Sequence, residues 1–84
     1  MKPYYITFRS VTYAQRGERA LQNAGIRSVL QRSPAVIQEQ GCGYSLAVGP
    51  GDLNRTLGLL RQGSVPFRKV YVREGEGVLR EVTL

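Results

Sequence analysis

The chain has 84 residues, with 12 Lys and Arg against 6 Asp and Glu, one Cys and no His. This length allows a single domain over residues 1–84 with a thin core, and the composition excludes a zinc finger, a His-activated Ser or Cys nucleophile and an internal disulfide. The formal net charge of +6 raises the odds of an anionic partner such as nucleic acid or an acidic protein.

The N-terminal part of the chain predicts a strand followed by a helix. Aromatic and β-branched residues alternate over 4–9, which is typical of a strand with one face on a core. From Thr12 the apolar residues recur at helical spacing, and Gly25 follows as a stop signal. Because Thr12 and Gln15 resemble a capping box, we predict a helix over 12–24.

The remaining elements alternate in the same way. A strand over 26–31 is ended by Pro34, which lacks an N–H and favours extended geometry in the residue before it. A third strand over 44–48 lies between glycines, and Asp52 is an N-cap candidate for a helix that ends at Gly63. The sequence then predicts a strand over 65–72 and a further one over 78–82.

This order, β-α-β-β-α-β with a C-terminal extension, predicts an α+β, ferredoxin-like sandwich with an antiparallel sheet and a fifth strand. Both helices would pack on one face of the sheet and leave the other face open. Alternation assigns Tyr5, Phe67 and Tyr71 to the open face. Because exposed aromatic residues are enriched at interfaces, a homodimer is the simplest assembly to expect.

Cys42 is the only residue that can carry covalent chemistry on sulfur. Gly41 and Gly43 leave it uncrowded, so we predict that the thiol is at least partly exposed at the start of the third strand. Arg32 upstream and the basic chain around it favour the thiolate, which predicts a pKa below the usual value of about 8.5. The alternative is a small apolar side chain buried at the start of a strand, where free Cys often lies.

Several of these features occur together in a known family. They are Thr7-Phe8-Arg9-Ser10, an amphipathic helix ending in Ala24-Gly25-Ile26, Pro34, and Cys42-Gly43 with the small residue Ser45. In this combination the chain resembles the selenium/sulfur carrier protein-like family of small bacterial domains. The resemblance spans nearly the whole chain, and its most specific parts are the Cys-Gly pair and the proline eight residues before it.

The resemblance implies a carrier without turnover chemistry of its own. Cys42 would hold sulfur or selenium covalently as a persulfide or selenosulfide, with no bound cofactor or metal, and donor and acceptor proteins would be its partners. Gly41, Gly43 and Pro34 would support the thiol, and Arg9, Ser10 and Arg32 are candidate site contacts. The alternative for Ser10 is a cap of the first helix. A single thiol and the lack of an apolar run of about 18 residues predict a cytoplasmic protein with no membrane contact.

Two other classes of function fit the same order of elements. RNA-recognition domains carry stacking aromatic residues on the third strand, whereas residues 40–47 keep both glycines and Tyr44 but have Cys42 and Ala47 at aromatic positions. Nucleic acid is therefore the less favoured partner. A small dimerisation or regulatory module would use the open sheet face without any chemistry at Cys42.

Overall fold

The computed structural model describes residues 3–33, 43–75 and 78–83. Its elements, in chain order, are β1 (Tyr4–Thr7), α1 (Val11–Asn23), β2 (Ser28–Arg32), β3 (Tyr44–Val48), α2 (Leu53–Gln62), β4 (Val70–Gly75) and β5 (Val78–Glu81). The strands form one sheet of order β2-β3-β1-β4-β5, and every neighbouring pair is antiparallel. The predicted α+β, ferredoxin-like arrangement is confirmed, and β5 extends the sheet beyond β4.

Both helices contribute to one core against the sheet. Ile6 and Phe8 of the first strand segment are fully buried there together with Leu21 of α1, Leu46 of β3 and Leu60 of α2. The prediction that the alternating residues 4–9 place one face of the strand on a core is therefore confirmed. Neither helix in the described part of the chain is long and apolar enough to cross a membrane.

The first helix begins earlier than its sequence pattern indicates. The Ser10 hydroxyl accepts a hydrogen bond from the Tyr13 backbone N–H at 3.3 Å, so Ser10 is the N-cap. Thr12 lies inside the first turn, and the predicted capping box at Thr12 and Gln15 is wrong. Asp52 does hold the N-cap position of α2, but its side chain makes no capping hydrogen bond, since a short 3₁₀ turn over Pro50–Asp52 leads into the helix.

The entry into β4 is irregular. The Arg68 N–H donates to the Thr7 carbonyl at 2.8 Å, and the Thr7 N–H donates to the Lys69 carbonyl at 2.9 Å. The Lys69 N–H donates to the Thr7 hydroxyl oxygen at 3.1 Å. Two residues therefore stand opposite Thr7, which is the arrangement of a β-bulge, and regular pairing starts only at Val70.

Because of this bulge, the predicted position of Phe67 on the open sheet face is wrong. An extra residue exchanges the two faces of a strand, so Phe67 packs against the helix-side core rather than lying on the other face. The Arg61 guanidinium lies over its ring at 5.9 Å. The predicted strand over 65–72 is also shorter at its start, because residues 65–69 form the irregular approach to the bulge.

Tyr5 and Tyr71 do lie on the sheet face opposite the helices, where they pair across β1 and β4. They are not exposed, however, since they retain only 4% and 7% of their accessible surface. Ala47 and Leu79 pack against them, and the Arg73 guanidinium donates to the Tyr5 hydroxyl oxygen at 3.0 and 3.2 Å. These two tyrosines therefore do not form the exposed aromatic surface that the sequence predicts. Homodimerisation itself stays a prediction.

Two helical glycines provide a matched test of the packing. A Cβ on Gly17 would lie 3.1 to 3.2 Å from side-chain atoms of Leu60, Leu46 and Phe8, which are all fully buried, whereas a Cβ on Gly58 would meet nothing within 4 Å. We expect Gly17→Ala to lower the free energy of unfolding by about 1–2 kcal/mol. Gly58→Ala should raise it by about 0.5–1 kcal/mol through helix propensity.

Urea denaturation of both variants, read by circular dichroism, would measure the two changes. If Gly17→Ala stabilised the protein as much as Gly58→Ala, the close contact between α1, α2 and β3 would be contradicted.

Candidate functional site

One end of the sheet collects the residues singled out from the sequence. We call it the hairpin end, where β1 and β2 finish (Thr7 and Arg32) and β3 and β4 start (Tyr44 and Val70). The Ser33 N–H donates to the Gly43 carbonyl at 2.8 Å, so the last described residue before the connection from β2 to β3 bonds directly to the first one after it. The two ends of the connection from β2 to β3 therefore lie next to each other at this end of the sheet.

Cys42, Gly41 and Pro34 lie outside the described residues, and the predicted exposure of the thiol therefore stays a prediction. Only the covalent sequence relates Cys42 to the hairpin end, because Cys42 directly precedes Gly43 in the chain. The described residues next to it in the chain and across the hairpin are Gly43, Ser33 and Arg32.

Gly43 has a backbone conformation that explains its identity. Its φ is +86°, in the left-handed region that side chains with a Cβ rarely adopt, and an added Cβ would otherwise meet nothing within 4 Å. A glycine directly after the thiol is thus required by the turn that leads into β3. Because Gly43 has no side chain, it also cannot cover the backbone that follows Cys42 in the chain.

Basic residues lie at the hairpin end on three of the four strand segments that meet there. Arg32 ends β2, Arg9 follows β1 by two residues, and Arg68 and Lys69 form the bulge opposite Thr7. We call Arg9, Arg32, Arg68 and Lys69 the basic row. Its three arginines are exposed, and none forms an ion pair with a carboxylate in the described ranges. The Lys69 ammonium contacts the Glu81 carboxylate at 3.3 Å.

The N-terminus of α1 adds partial positive charge at the same end. The helix starts directly after the β1 segment, is capped by Ser10 and has no acidic residue in its first turn. Its unpaired N–H groups and macrodipole therefore favour negative charge nearby. Ser10 acts here as the cap of the helix, while Arg9 beside it is exposed.

Described carboxylates lie mainly away from this end. Asp52 precedes α2 at the opposite end of the sheet, and Glu74 lies near the end of β4, where it pairs with Arg80. Glu18 lies within α1. Glu81 is the only described carboxylate in contact with the basic row.

Sequence reasoning named Arg9 and Arg32 but missed Arg68 and Lys69. Their place depends on the bulge opposite Thr7, which alternation does not reveal. One sequence signal was present, because Arg68-Lys69 is the only pair of adjacent basic residues in the chain.

Comparison with known proteins gives one positive result. The family model described as "Putative Se/S carrier protein-like" matches residues 3–72. The chain belongs to this family. The match includes β1 to β3, both helices, Cys42-Gly43 and the first part of β4, and it ends before β5. Neither the curated proteins nor the solved structures gave a match to the chain.

The conformation of Gly43 generates a prediction. We expect Gly43→Ala to lower the free energy of unfolding by about 1–2 kcal/mol, because the left-handed region is unfavourable for alanine by that amount. Gly51→Ala is the matched control, since Gly51, in the 3₁₀ turn before α2, also has open space around it but no positive φ. Chemical denaturation compares the two, and equal stabilities would contradict a left-handed requirement at Gly43.

The basic row generates a second prediction, on the reactivity of Cys42. Positive charge nearby attracts anionic reagents, so the ratio of the alkylation rates by iodoacetate and by neutral iodoacetamide should be at least about threefold higher in the folded protein than in the urea-unfolded chain. The ratio should fall in about 1 M salt, where the Debye length is about 3 Å. A ratio that neither folding nor salt alters would show that Cys42 lies outside the field of the basic row.

Proposed function

We propose that the protein is a carrier that holds sulfur or selenium on Cys42 and delivers it to an acceptor enzyme in a reducing, cytoplasmic setting. The observation that carries the proposal is the family match over residues 3–72, which includes the only thiol of the chain. The positively charged hairpin end supports it, because cations and a helix N-terminus next to a thiol favour the thiolate, the nucleophilic form.

The chemistry requires only exchange at sulfur. In loading, the Cys42 thiolate attacks the outer sulfur of a donor persulfide; a new S–S bond forms at Cys42, the donor S–S bond breaks, and the donor leaves as a thiolate. In delivery, a nucleophile of the acceptor attacks the outer sulfur and the Cys42 thiolate is the leaving group. Selenium at the same oxidation level follows the same steps, so no external oxidant or reductant enters.

The chain has no second thiol, and this determines which protein supplies the nucleophile for delivery. A carrier with a second Cys could expel its cargo by forming an internal disulfide, whereas here the attacking group must come from the acceptor. The protein would accordingly perform no turnover by itself. This is the role of a carrier rather than of an enzyme.

RNA binding through the sheet face receives less support. The aromatic residues that could stack on bases there are Tyr5 and Tyr71, and both are buried beneath Arg73, Ala47 and Leu79. Single-stranded RNA is usually read by exposed aromatic side chains. The carrier proposal needs no such platform.

Intact-mass spectrometry tests the proposal. After incubation with a sulfane-sulfur donor such as polysulfide, the protein should gain one sulfur atom, and with selenodiglutathione it should gain a selenium-glutathione adduct, both on Cys42. Dithiothreitol should reverse both additions. A protein that remains unmodified under conditions that label a free thiol in an unstructured peptide would contradict the proposal.

The variant Cys42→Ser distinguishes between a thiol that carries cargo and a thiol that is packed in the core. We expect this variant to take up no sulfur or selenium, because a serine hydroxyl without a general base is un-ionised at neutral pH. Its stability should change by less than about 1 kcal/mol, as for most surface substitutions. Chemical denaturation measures this, and a loss of several kcal/mol would identify Cys42 as a packed core residue and overturn the carrier role.

A further inference from the structure

The basic row has an extent and a position that indicate the kind of partner it meets. Its members belong to β2, β1 and β4, with β3 between β2 and β1, so at a strand spacing of about 4.8 Å the backbones of its two outer strands are about 14 Å apart. A single small anion would contact only part of a row of this length. Several negative charges spread over a surface would match it throughout.

The centre of the row coincides with the chain segment that carries the thiol. Gly43, which directly follows Cys42, precedes β3, and β3 lies between β2, which ends in Arg32, and β1, which leads to Arg9. Arg68 lies one strand further on. A partner that covers the row from Arg32 to Arg68 therefore approaches the residue next to Cys42.

The exposed arginines are available for such a partner. Arg9, Arg32 and Arg68 have no ion-pair partner among the residues that the structure describes, and Arg guanidinium groups match carboxylates in a bidentate geometry. Other exposed cations, such as Arg19, Arg27 and Arg55, are distributed over α1, the start of the β2 segment and α2. They provide net charge, but none of the three lies at the hairpin end.

We infer that the basic row is a docking surface for an acidic patch on another protein, which brings that protein to Gly43, the residue that follows Cys42 in the chain. The assignment of this partner as the donor or acceptor of the cargo rests on the proposed function; the docking surface itself does not. Nucleic acid is the competing anion, and it is disfavoured because the described sheet face offers no exposed Tyr5 or Tyr71 for base stacking.

The experiment uses the whole protein and a fluorescein-labelled oligoglutamate as the probe. Binding is measured by anisotropy for three proteins: wild type, a triple variant Arg9→Gln, Arg32→Gln, Arg68→Gln, and a control triple variant Arg19→Gln, Arg27→Gln, Arg55→Gln. Both triple variants lose the same charge from exposed arginines. We expect the first to weaken binding at least about tenfold at low salt and the control to change it less than about twofold.

Two further measurements locate the surface and identify its partner class. Amide chemical-shift changes caused by oligoglutamate should be largest at Arg9, Arg32, Gly43 and Arg68. An oligouridylate of the same charge should bind more weakly than oligoglutamate. Equal losses in the two triple variants, shift changes spread over both helices, or tighter binding of the oligouridylate would each overturn the inference.

Cys42→Ser keeps this inference separate from the carrier proposal. The variant should bind oligoglutamate as the wild type does, because the basic row contains no thiol, and loss of binding would overturn the row as the docking surface. If Cys42 fails to accept sulfur or selenium while oligoglutamate still binds, the carrier function is contradicted and the docking surface is supported. If Cys42 is loaded but oligoglutamate binding is insensitive to the first triple variant, only the docking surface falls.

Discussion

Thr7 is the position at which the sheet, the first helix and the basic row depend on one another. Its backbone N–H and carbonyl and its hydroxyl all bond to Arg68 and Lys69, and the residue is almost fully buried. The bulge formed there sets the register of β4 and brings two cations beside β1. Three residues later Ser10 caps α1. Residues 7–10 thus end the central strand and start the helix, and the bulge opposite Thr7 adds two of the four cations of the basic row.

Where local signals agree, the sequence is sufficient to predict the fold. The bounds of β3 were predicted correctly because Gly43 precedes it and Gly49-Pro50 follows it, and both signals act within a residue or two of the strand. The sequence left the N-cap of α1 open between two residues, because Thr12 and Ser10 both have a hydroxyl that can cap. Which one does so is decided by where β1 stops, a tertiary constraint that periodicity does not contain.

The misplacement of Phe67 and the assumed exposure of Tyr71 have a different origin. Alternation carries a face assignment along a strand only while the register is unbroken, and the extra residue at Arg68 and Lys69 breaks it between Val70 and Phe67. Tyr71 was assigned to the correct face, but its burial depends on β5 and on Arg73 reaching Tyr5 across the sheet. Such contacts come from pairings between distant residues. For the same reason the motif around Cys42 was visible in the sequence, while the full basic row was not.

In the carrier model, the same basic residues of the hairpin end favour the thiolate and attract the acidic partner. A thiolate at Cys42, or a deprotonated persulfide formed from it, carries one negative charge, whereas the row has four cations, of which one is already paired with Glu81. The row therefore stays positive whether or not cargo is present, and its attraction for an acidic surface changes little on loading. It follows that docking through the row cannot by itself distinguish the loaded carrier from the empty one. That discrimination must come from the outer sulfur or selenium atom, which is the only group that the acceptor nucleophile can attack productively.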